Sequence, residues 1–369
     1  MSESLQELTD IGVSIWLDDL DRGRLTSGSL AQLVADDNVV GVTTNPSIFD
    51  HSISFGSKDY ADQVSDLRVR GVSADEAVRA MTSFDVRWAC DVFHKTYQRS
   101  GGADGRVSIE VDPRLARETA ATIAEAKALH WLVDRENVLI KIPATVEGLP
   151  AITAALAVGV SVNVTLIFSV KRYEAVTEAW LAGLEAAHAA GHDLSKIHSV
   201  ASFFISRVDT AVDKIIDGIG TGQAEGLRGK AGIANGRLAW GTYQKVLASP
   251  RWKALAAVGA QPQRPLWAST GVKDPAYDDD RYVVRLAAPG CVNTMPEATL
   301  RAVAAHGDVD GDTVTGTQAD AQRVFDELTE AGVDLPAVFV QLENEGVAKF
   351  IDAWEDLISH VATALGKDD

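Results

Sequence analysis

The sequence predicts an α/β protein: a (β/α)8 barrel of the TIM type, with helical insertions and a C-terminal helical extension. Three observations predict it. Short apolar, β-rich runs recur along the chain. Segments of helical periodicity separate them, and such alternation argues for a parallel sheet. Eight strands without a two-half pattern favour a closed barrel over a doubly wound sheet.

The strands are expected at Ser14–Asp18 (SIWLD), Val40–Asn45 (VGVTTN), Arg106–Val111 (RVSIEV) and Asn137–Ile142 (NVLIKI). Four more follow at Ser161–Phe168 (SVNVTLIF), Ser199–Ile205 (SVASFFI), Pro265–Ser269 (PLWAS) and Cys291–Thr294 (CVNT). Most are near-continuous apolar runs, as in strands covered on both faces. A capping box at Ser73 and Glu76 opens a helix that runs toward Gly101, and a second helix covers Val170 to Ala190 before Gly191. The longest apolar stretch, Ala151 to Phe168, is broken by Gly159 and several polar residues, so it reads as helix then strand and not as a membrane span. The segments Asn45 to Arg106 and Ile205 to Pro265 are long and lack Pro/Gly/Ser linkers, so they are expected as helical insertions. The chain is expected to form one domain over 1–369, with the barrel at about 12–305 and an extension at about 306–369. Ala337 to Leu365 should be a long helix packed on the barrel.

The chain has 369 residues, 46% of them hydrophobic and 23% charged, which is ordinary for a soluble globular protein. A net charge of −18 argues against non-specific binding to nucleic acid or to an anionic membrane, both of which want a basic face. It leaves anionic substrates open, because a site can be locally basic. Cys90 and Cys291 are far apart in sequence, and no signal peptide is evident, so a reducing, cytoplasmic location is expected. A monomer or a homodimer is expected.

The chemistry is expected where polar residues interrupt apolar strands or close them. These are Asp18, Asn45, Glu110, Lys141, Asn163, Thr165 and Ser202. In a barrel such positions converge on one face, where the sites of this fold lie. One buried Lys or Glu is often a structural ion pair; seven such residues on six strands make that reading poor. Ile140 and Ile142 flank Lys141, so its amine enters a partly dry interior where desolvation favours the neutral, nucleophilic form. Glu110, one strand away, could exchange protons with it, through a water held by Thr165. Asp18 supplies a second carboxylate in a different environment. The asparagines can bond sugar hydroxyls without adding charge. Together these residues suggest Schiff-base chemistry on a polyhydroxy ketone.

Gly41-Val42-Thr43-Thr44-Asn45-Pro46-Ser47-Ile48-Phe49 resembles the first signature of the transaldolases. Leu139-Ile140-Lys141-Ile142-Pro143-Ala144-Thr145-Val146-Glu147-Gly148 resembles their second, around the Schiff-base lysine. Supporting matches run through Ser108–Asp112, Asn163–Ser169 and Ser202–Arg207, in the family's order. The likeness is to the longer, actinobacterial-looking branch, whose pattern continues through Val292-Asn293-Thr294-Met295-Pro296.

The resemblance implies transfer of a dihydroxyacetone unit between sugar phosphates, from sedoheptulose 7-phosphate to glyceraldehyde 3-phosphate, in the non-oxidative pentose phosphate pathway. It implies that Lys141 forms the imine, that Asp18 is the general base, and that Glu110 and Thr165 manage the water that shuttles protons. Asn45, Asn163 and Ser202 would hold the retained three-carbon unit, with Thr43 and Ser269 in the same pocket. Arg207 would bind phosphate, with Phe204 nearby. The family often has Ser-Pro-Phe where this chain has Ser202-Phe203-Phe204. It often has an arginine after the seventh strand, where this chain offers Lys273. No metal or organic cofactor is implied, because the imine is itself the electron sink. Two other readings are an aldolase resembling the fructose-6-phosphate aldolases, separable by acceptor dependence, and a non-catalytic sugar-phosphate-binding barrel, separable by an imine trap.

Several motifs are discounted. His188 and His192 have metal-ligand spacing, but Gly191 should end their helix. Asp308, Asp310 and Asp312 lack the glycine and glutamate of a calcium loop. Gly226–Ala231 follows a helix and lacks the hydroxyl of a P-loop. Asp278–Asp280 is read as a helix start.

Overall fold

A computed structural model describes residues 2–55 and 57–367. Among them, eight parallel strands close into a barrel in sequence order. They are β1 (Ser14–Leu17), β2 (Val39–Val42), β3 (Arg106–Glu110), β4 (Val138–Pro143), β5 (Val162–Ile167), β6 (Ser199–Phe204), β7 (Gln263–Ala268) and β8 (Val292–Met295). β1 pairs with β8 to close the seam. Seven of the eight strands lie within two residues of their sequence-derived bounds at each end. The exception is β2, which stops three residues before Asn45. There the Asn45 carboxamide accepts from the Ile48 amide at 3.0 Å, so the residue caps the helix Pro46–Phe55 and leaves the ladder.

Strand alternation divides the core in two. Ile140, Ile142, Val162, Val164, Ala201 and Phe203 face outward and pack in the cluster shared with the surrounding helices. Trp16, Leu139, Val200, Leu266 and Val292 fill the barrel interior. The interior is thus a packed plug, and its bulk decides one glycine. A Cβ on Gly41 would stand 2.5 Å from the Trp16 indole, so only glycine lets β2 pass that ring.

The first insertion is the helices Pro46–Phe55, Ser57–Arg70 and Ala74–Arg99. The last begins as expected, with the Ser73 hydroxyl accepting from the Glu76 amide. A buried network of Arg22, Tyr60 and Asp85 holds these helices together: Arg22 Nε lies 2.5 Å and the Tyr60 hydroxyl 2.7 Å from the Asp85 carboxylate. The second insertion is helical throughout, from Ser206–Ile219 to Pro250–Ala257. The discounted motifs are structural here. The helix of His188 ends at Ala189, with Gly191 left-handed at φ 84°. Arg228 pairs with Asp217 and Asp274. Asp280 precedes the short helix Arg281–Val284.

The C-terminal helix Leu335–Ala364 is 30 residues long. It is tied down by Arg172 with Glu343 at 3.0 Å, Arg117 with Asn344 at 2.7 Å and His360 with Asp50 at 2.6 Å. Gly346 lets it sit against Leu166 and Phe168, where a Cβ would come within 3.1 and 3.3 Å of those side chains. Among the described residues no helix is long and apolar enough to cross a membrane.

Candidate active site

Above the apolar plug the inward positions turn polar, and they do so on adjacent strands. On β4, Leu139 fills the plug and Lys141, two residues on, points the same way one layer higher. Register places Glu110 of β3 beside Lys141 and Lys141 beside Asn163 of β5. Pro143 pairs with Thr165, and β5 is irregular just beyond it, where Leu166 adopts φ 59°. A branched residue in the left-handed region is strained, and such strain concentrates at functional sites.

These side chains meet around a cavity of about 170 Å³ at the C-terminal ends of the strands. Asp18, Thr43, Asn45, Lys141, Thr165 and Ser202 line its floor and walls; Phe204, Arg207, Ser269 and Lys273 line it further out. Ten of the twelve residues singled out in the sequence therefore face one space. The other two, Glu110 and Asn163, stand behind it as partners of residues that do.

Lys141 is 4% exposed. Its ammonium lies 3.1 Å from the Glu110 carboxylate and donates to the Thr44 carbonyl at 3.0 Å. Glu110 has no further hydrogen-bond partner among the described residues. Burial therefore dominates its titration and pushes its carboxyl up to about 7, against the pull of Lys141. Asp18 is raised by burial as well, opposed by Lys141 and by the Thr43 hydroxyl, which donates to it at 2.6 Å. Thr43 also meets the Thr294 hydroxyl at 2.6 Å. The two carboxylates so occupy different settings, one beside the ammonium and one on a pair of threonines.

The Ser202 hydroxyl donates to the Asn163 carboxamide oxygen at 2.7 Å, and the Asn163 amide donates to the Ser108 hydroxyl at 3.0 Å. This chain fixes which end of the Asn163 carboxamide faces which neighbour. Thr165 lies at the cavity wall, and its buried hydroxyl has no partner among the described residues, so its donor and acceptor are unspent.

The outer part of the cavity is cationic. Arg207 lies in the first turn of the helix Ser206–Ile219, with its guanidinium 5.3 Å from the Phe204 ring centroid. Burial lowers its pKa, while Asp18 opposes that shift. Phe204 in turn packs on Phe168, with ring centroids 5.1 Å apart. Ser269 is left-handed at φ 55° and shares a hydrogen bond with Ser206, 2.9 Å between hydroxyls. That contact ties the end of β7 to the start of the arginine-bearing helix. Lys273 is exposed on the rim, near Gly271.

Sequence reading missed two kinds of residue. Thr294 was visible only as part of a motif, because a threonine in a strand has many ordinary reasons to be there. Phe350 gave no signal at all. It comes from the C-terminal helix, where it follows the helix's apolar period, yet it lines the cavity with its ring 5.3 Å from the Lys141 ammonium. Among the described residues, no group of three or more His, Cys, Asp or Glu is placed to hold a metal ion.

The sequence profile described as Transaldolase/Fructose-6-phosphate aldolase matches residues 15–361. A transaldolase of Thermobifida fusca is 60% identical over 99% of this chain and 99% of its own length. Transaldolase 1 of Streptomyces avermitilis is 61% identical over 98% of this chain and 96% of its own. A transaldolase of Mycolicibacterium paratuberculosis is 60% identical over 98% and 97%. With the closed barrel, the polar ring around Lys141 and these full-length likenesses together, the chain belongs to the transaldolase/fructose-6-phosphate aldolase family.

Proposed function

We propose that the chain is a transaldolase that moves a dihydroxyacetone unit reversibly from sedoheptulose 7-phosphate to glyceraldehyde 3-phosphate. The observation that carries this reading is the nearly dry Lys141 ammonium, held between Glu110 and the Thr44 carbonyl at the wall of a polar cavity. Proton transfer from Lys141 to Glu110 releases the amine, which attacks C2 of the ketose. The resulting carbinolamine loses its hydroxyl as water, with the proton returned from Glu110 and a water positioned by Thr165. The imine then withdraws electrons from the C3–C4 bond. Asp18 takes the proton of the C4 hydroxyl, C3–C4 breaks, and the aldose phosphate leaves. The electron pair of the broken bond stays on the enamine, whose hydroxyls Asn45 and Ser202 hold, with Asn163 behind them fixing the Ser202 hydroxyl. The acceptor aldehyde adds to C3 of the enamine by the reverse steps, and water frees the product. Arg207 and Lys273 hold the phosphate, and the guanidinium fork in a helix's first turn is the stronger of the two. The imine supplies the electron sink, so the route uses no metal or organic cofactor.

Borohydride reduction in the presence of fructose 6-phosphate tests the reading. Inactivation and a label on the peptide of Lys141 are expected; label elsewhere, or none, overturns it. Turnover should also depend on an acceptor aldehyde, whereas release of free dihydroxyacetone at an equal rate without one would assign aldolase chemistry. We take the chain as one barrel domain with residues 306–369 as its extension, supported by Phe350 lining the cavity. A cytoplasmic location is supported by two buried, unpaired thiols, Cys90 and Cys291.

A further inference from the structure

Three neighbouring strands, β8, β1 and β2, bring polar side chains to one point on the cavity wall. Val292 and Trp16 fill the plug, and Gly41 lies against the Trp16 indole. Thr294, Asp18 and Thr43 each follow two residues later, on the same inward rows one layer higher. The ladder continues past the formal strand ends, where the Asp18 amide donates to the Met295 carbonyl at 2.8 Å and the Thr43 amide to the Leu17 carbonyl at 2.9 Å. Thr294 is held as firmly, since its carbonyl accepts from the Thr270 hydroxyl at 2.8 Å. It is buried and lines the cavity.

The Thr43 hydroxyl lies 2.6 Å from Asp18 Oδ1 and 2.6 Å from the Thr294 hydroxyl. A hydroxyl has one hydrogen to give and two lone pairs to receive. An ionised carboxylate only accepts, so the Thr43 hydrogen goes to Asp18. The Thr294 hydroxyl must then be the donor in the second contact. The order is Thr294 to Thr43 to Asp18, and each bond in such a chain polarises the next. Thr43 takes one carboxylate oxygen and leaves the other, Oδ2, to meet the C4 hydroxyl of the ketose.

We propose that Thr294 is a positioning residue for C3–C4 cleavage: by donating to Thr43 it commits the Thr43 hydrogen to Asp18 and keeps that base ionised and aimed. The inference rests on the reading of Asp18 as the general base. The C4 hydroxyl proton moves to Asp18 Oδ2 and the C3–C4 electron pair to the enamine, while both threonine hydrogens stay on their own oxygens. A residue present only to fill space at this point would be replaced without effect by valine, which has the same shape and no hydroxyl.

The charges around Asp18 come from four elements. Lys141 faces it from β4 and Arg207 from the helix Ser206–Ile219, against the carboxylates of Asp19 beside it and Glu110 on β3. Burial raises the Asp18 pKa, and Lys141 and then the Thr43 bond oppose that rise. Without a donor behind Thr43 the opposing bond weakens, and the carboxyl keeps its proton to a higher pH.

Rapid-quench single turnovers with sedoheptulose 7-phosphate test this, with borohydride label on Lys141 counting imine and free aldose phosphate counting cleavage. In Thr294→Val the rate of labelling should be unchanged. The acid limb of aldose phosphate release should move up by about 0.5–1 pH unit, so release on that limb falls about three- to tenfold. Above the limb the two proteins should converge, and Thr294→Ser should restore the parent profile. Should Thr294→Val fail to fold, Thr294→Cys takes its place, because a thiol is a weak donor at the same point. Asp18→Ala is run beside them. If it cleaves slowly while the limb of the Thr294 variant stays where it was, the proposal is overturned and Asp18 keeps its role. An equal slowing of labelling and release, or no restoration by serine, would also overturn it. Parent-like cleavage in Asp18→Ala would remove the base itself, and this inference with it.

Discussion

Glu110 lies 3.1 Å from the Lys141 ammonium, and its titration is the clearest handle on the proposed chemistry. Burial places the Glu110 carboxyl near 7. Below that pH the Glu110 carboxyl is protonated and cannot take a proton from the amine. Above it the Glu110 carboxylate can accept the proton of the Lys141 ammonium beside it as the amine forms. The kcat/KM should fall about tenfold per pH unit below about 7. Glu110→Gln should flatten that limb and lower the plateau; a limb that survives unchanged in the variant would assign it elsewhere. The same shift has a stability consequence of opposite sign. A carboxyl whose folded pKa is raised contributes stability that is full below its unfolded pKa and is lost as pH rises through about 7. Glu110→Gln should therefore lose less Tm than the parent between about pH 5 and 8, as thermal scans would show. Asp18→Ala separates the second carboxylate. On the proposed roles it should still trap the imine yet turn over ~10²–10⁴-fold more slowly, because Lys141 would remain as nucleophile while the base would be gone. At this scale most of the site was legible: a lysine between two isoleucines, or an asparagine within VNVTLIF, has no cheap place in a strand unless something uses it. Phe350 was not legible, because an aromatic on a helix's apolar stripe reads as core whether it faces a helix or a substrate.

Among the elements, the C-terminal helix is the one whose role the pattern of apolar residues left open. Its length and position were readable from the period of Ala337 to Leu365. Its target was not, because the same stripe would serve any flat apolar face. The structure lays it against β5 through Gly346 and brings Phe350 over Lys141. Phe350→Ala should admit water beside the imine and remove a cation–π contact of roughly 1–2 kcal/mol, an effect of about tenfold on kcat/KM. Phe350→Leu, which keeps the apolar cover, should retain the stability of the trapped imine better than alanine does. Equal imine hydrolysis rates in all three proteins, measured by quench with borohydride, would make Phe350 a packing residue only. β2 offers a test of the barrel plug. Gly41→Ala would press a methyl into the Trp16 indole and should cost about 1–3 kcal/mol of stability, read by urea unfolding. The boundary of β2 was misread for a related reason: Asn45 looks like the end of a strand, but its carboxamide is better used as a helix cap.

The whole molecule closes on itself late. β1 finds its second neighbour only in β8, so the two edges of the sheet wait for nearly the entire chain before they meet. This order of strands was legible, because each apolar run is followed by a helix long enough to carry the chain back for a parallel partner. The ionic N-terminal end of the barrel was not, since Arg106, which is buried, and Arg264, which pairs with Asp104, look in sequence like the polar flanks of any strand. A chain cut after residue 334 would keep all eight strands and every polar residue of the site, yet it should trap little imine and expose the apolar faces of β5 and its helices. Borohydride labelling and light scattering of that truncated protein check both expectations. The position of Phe350 after all eight strands also sets a time for activity. Synthesis proceeds at roughly 5–20 residues per second, so the barrel strands exist for seconds before the helix Leu335–Ala364 leaves the ribosome. A nascent chain, or one released early by a premature stop codon, would carry a nucleophilic lysine in an uncovered cup. On this reading, reactivity toward sugars waits for a helix translated after the whole barrel, so the nucleophile comes into use only once its cover has been made.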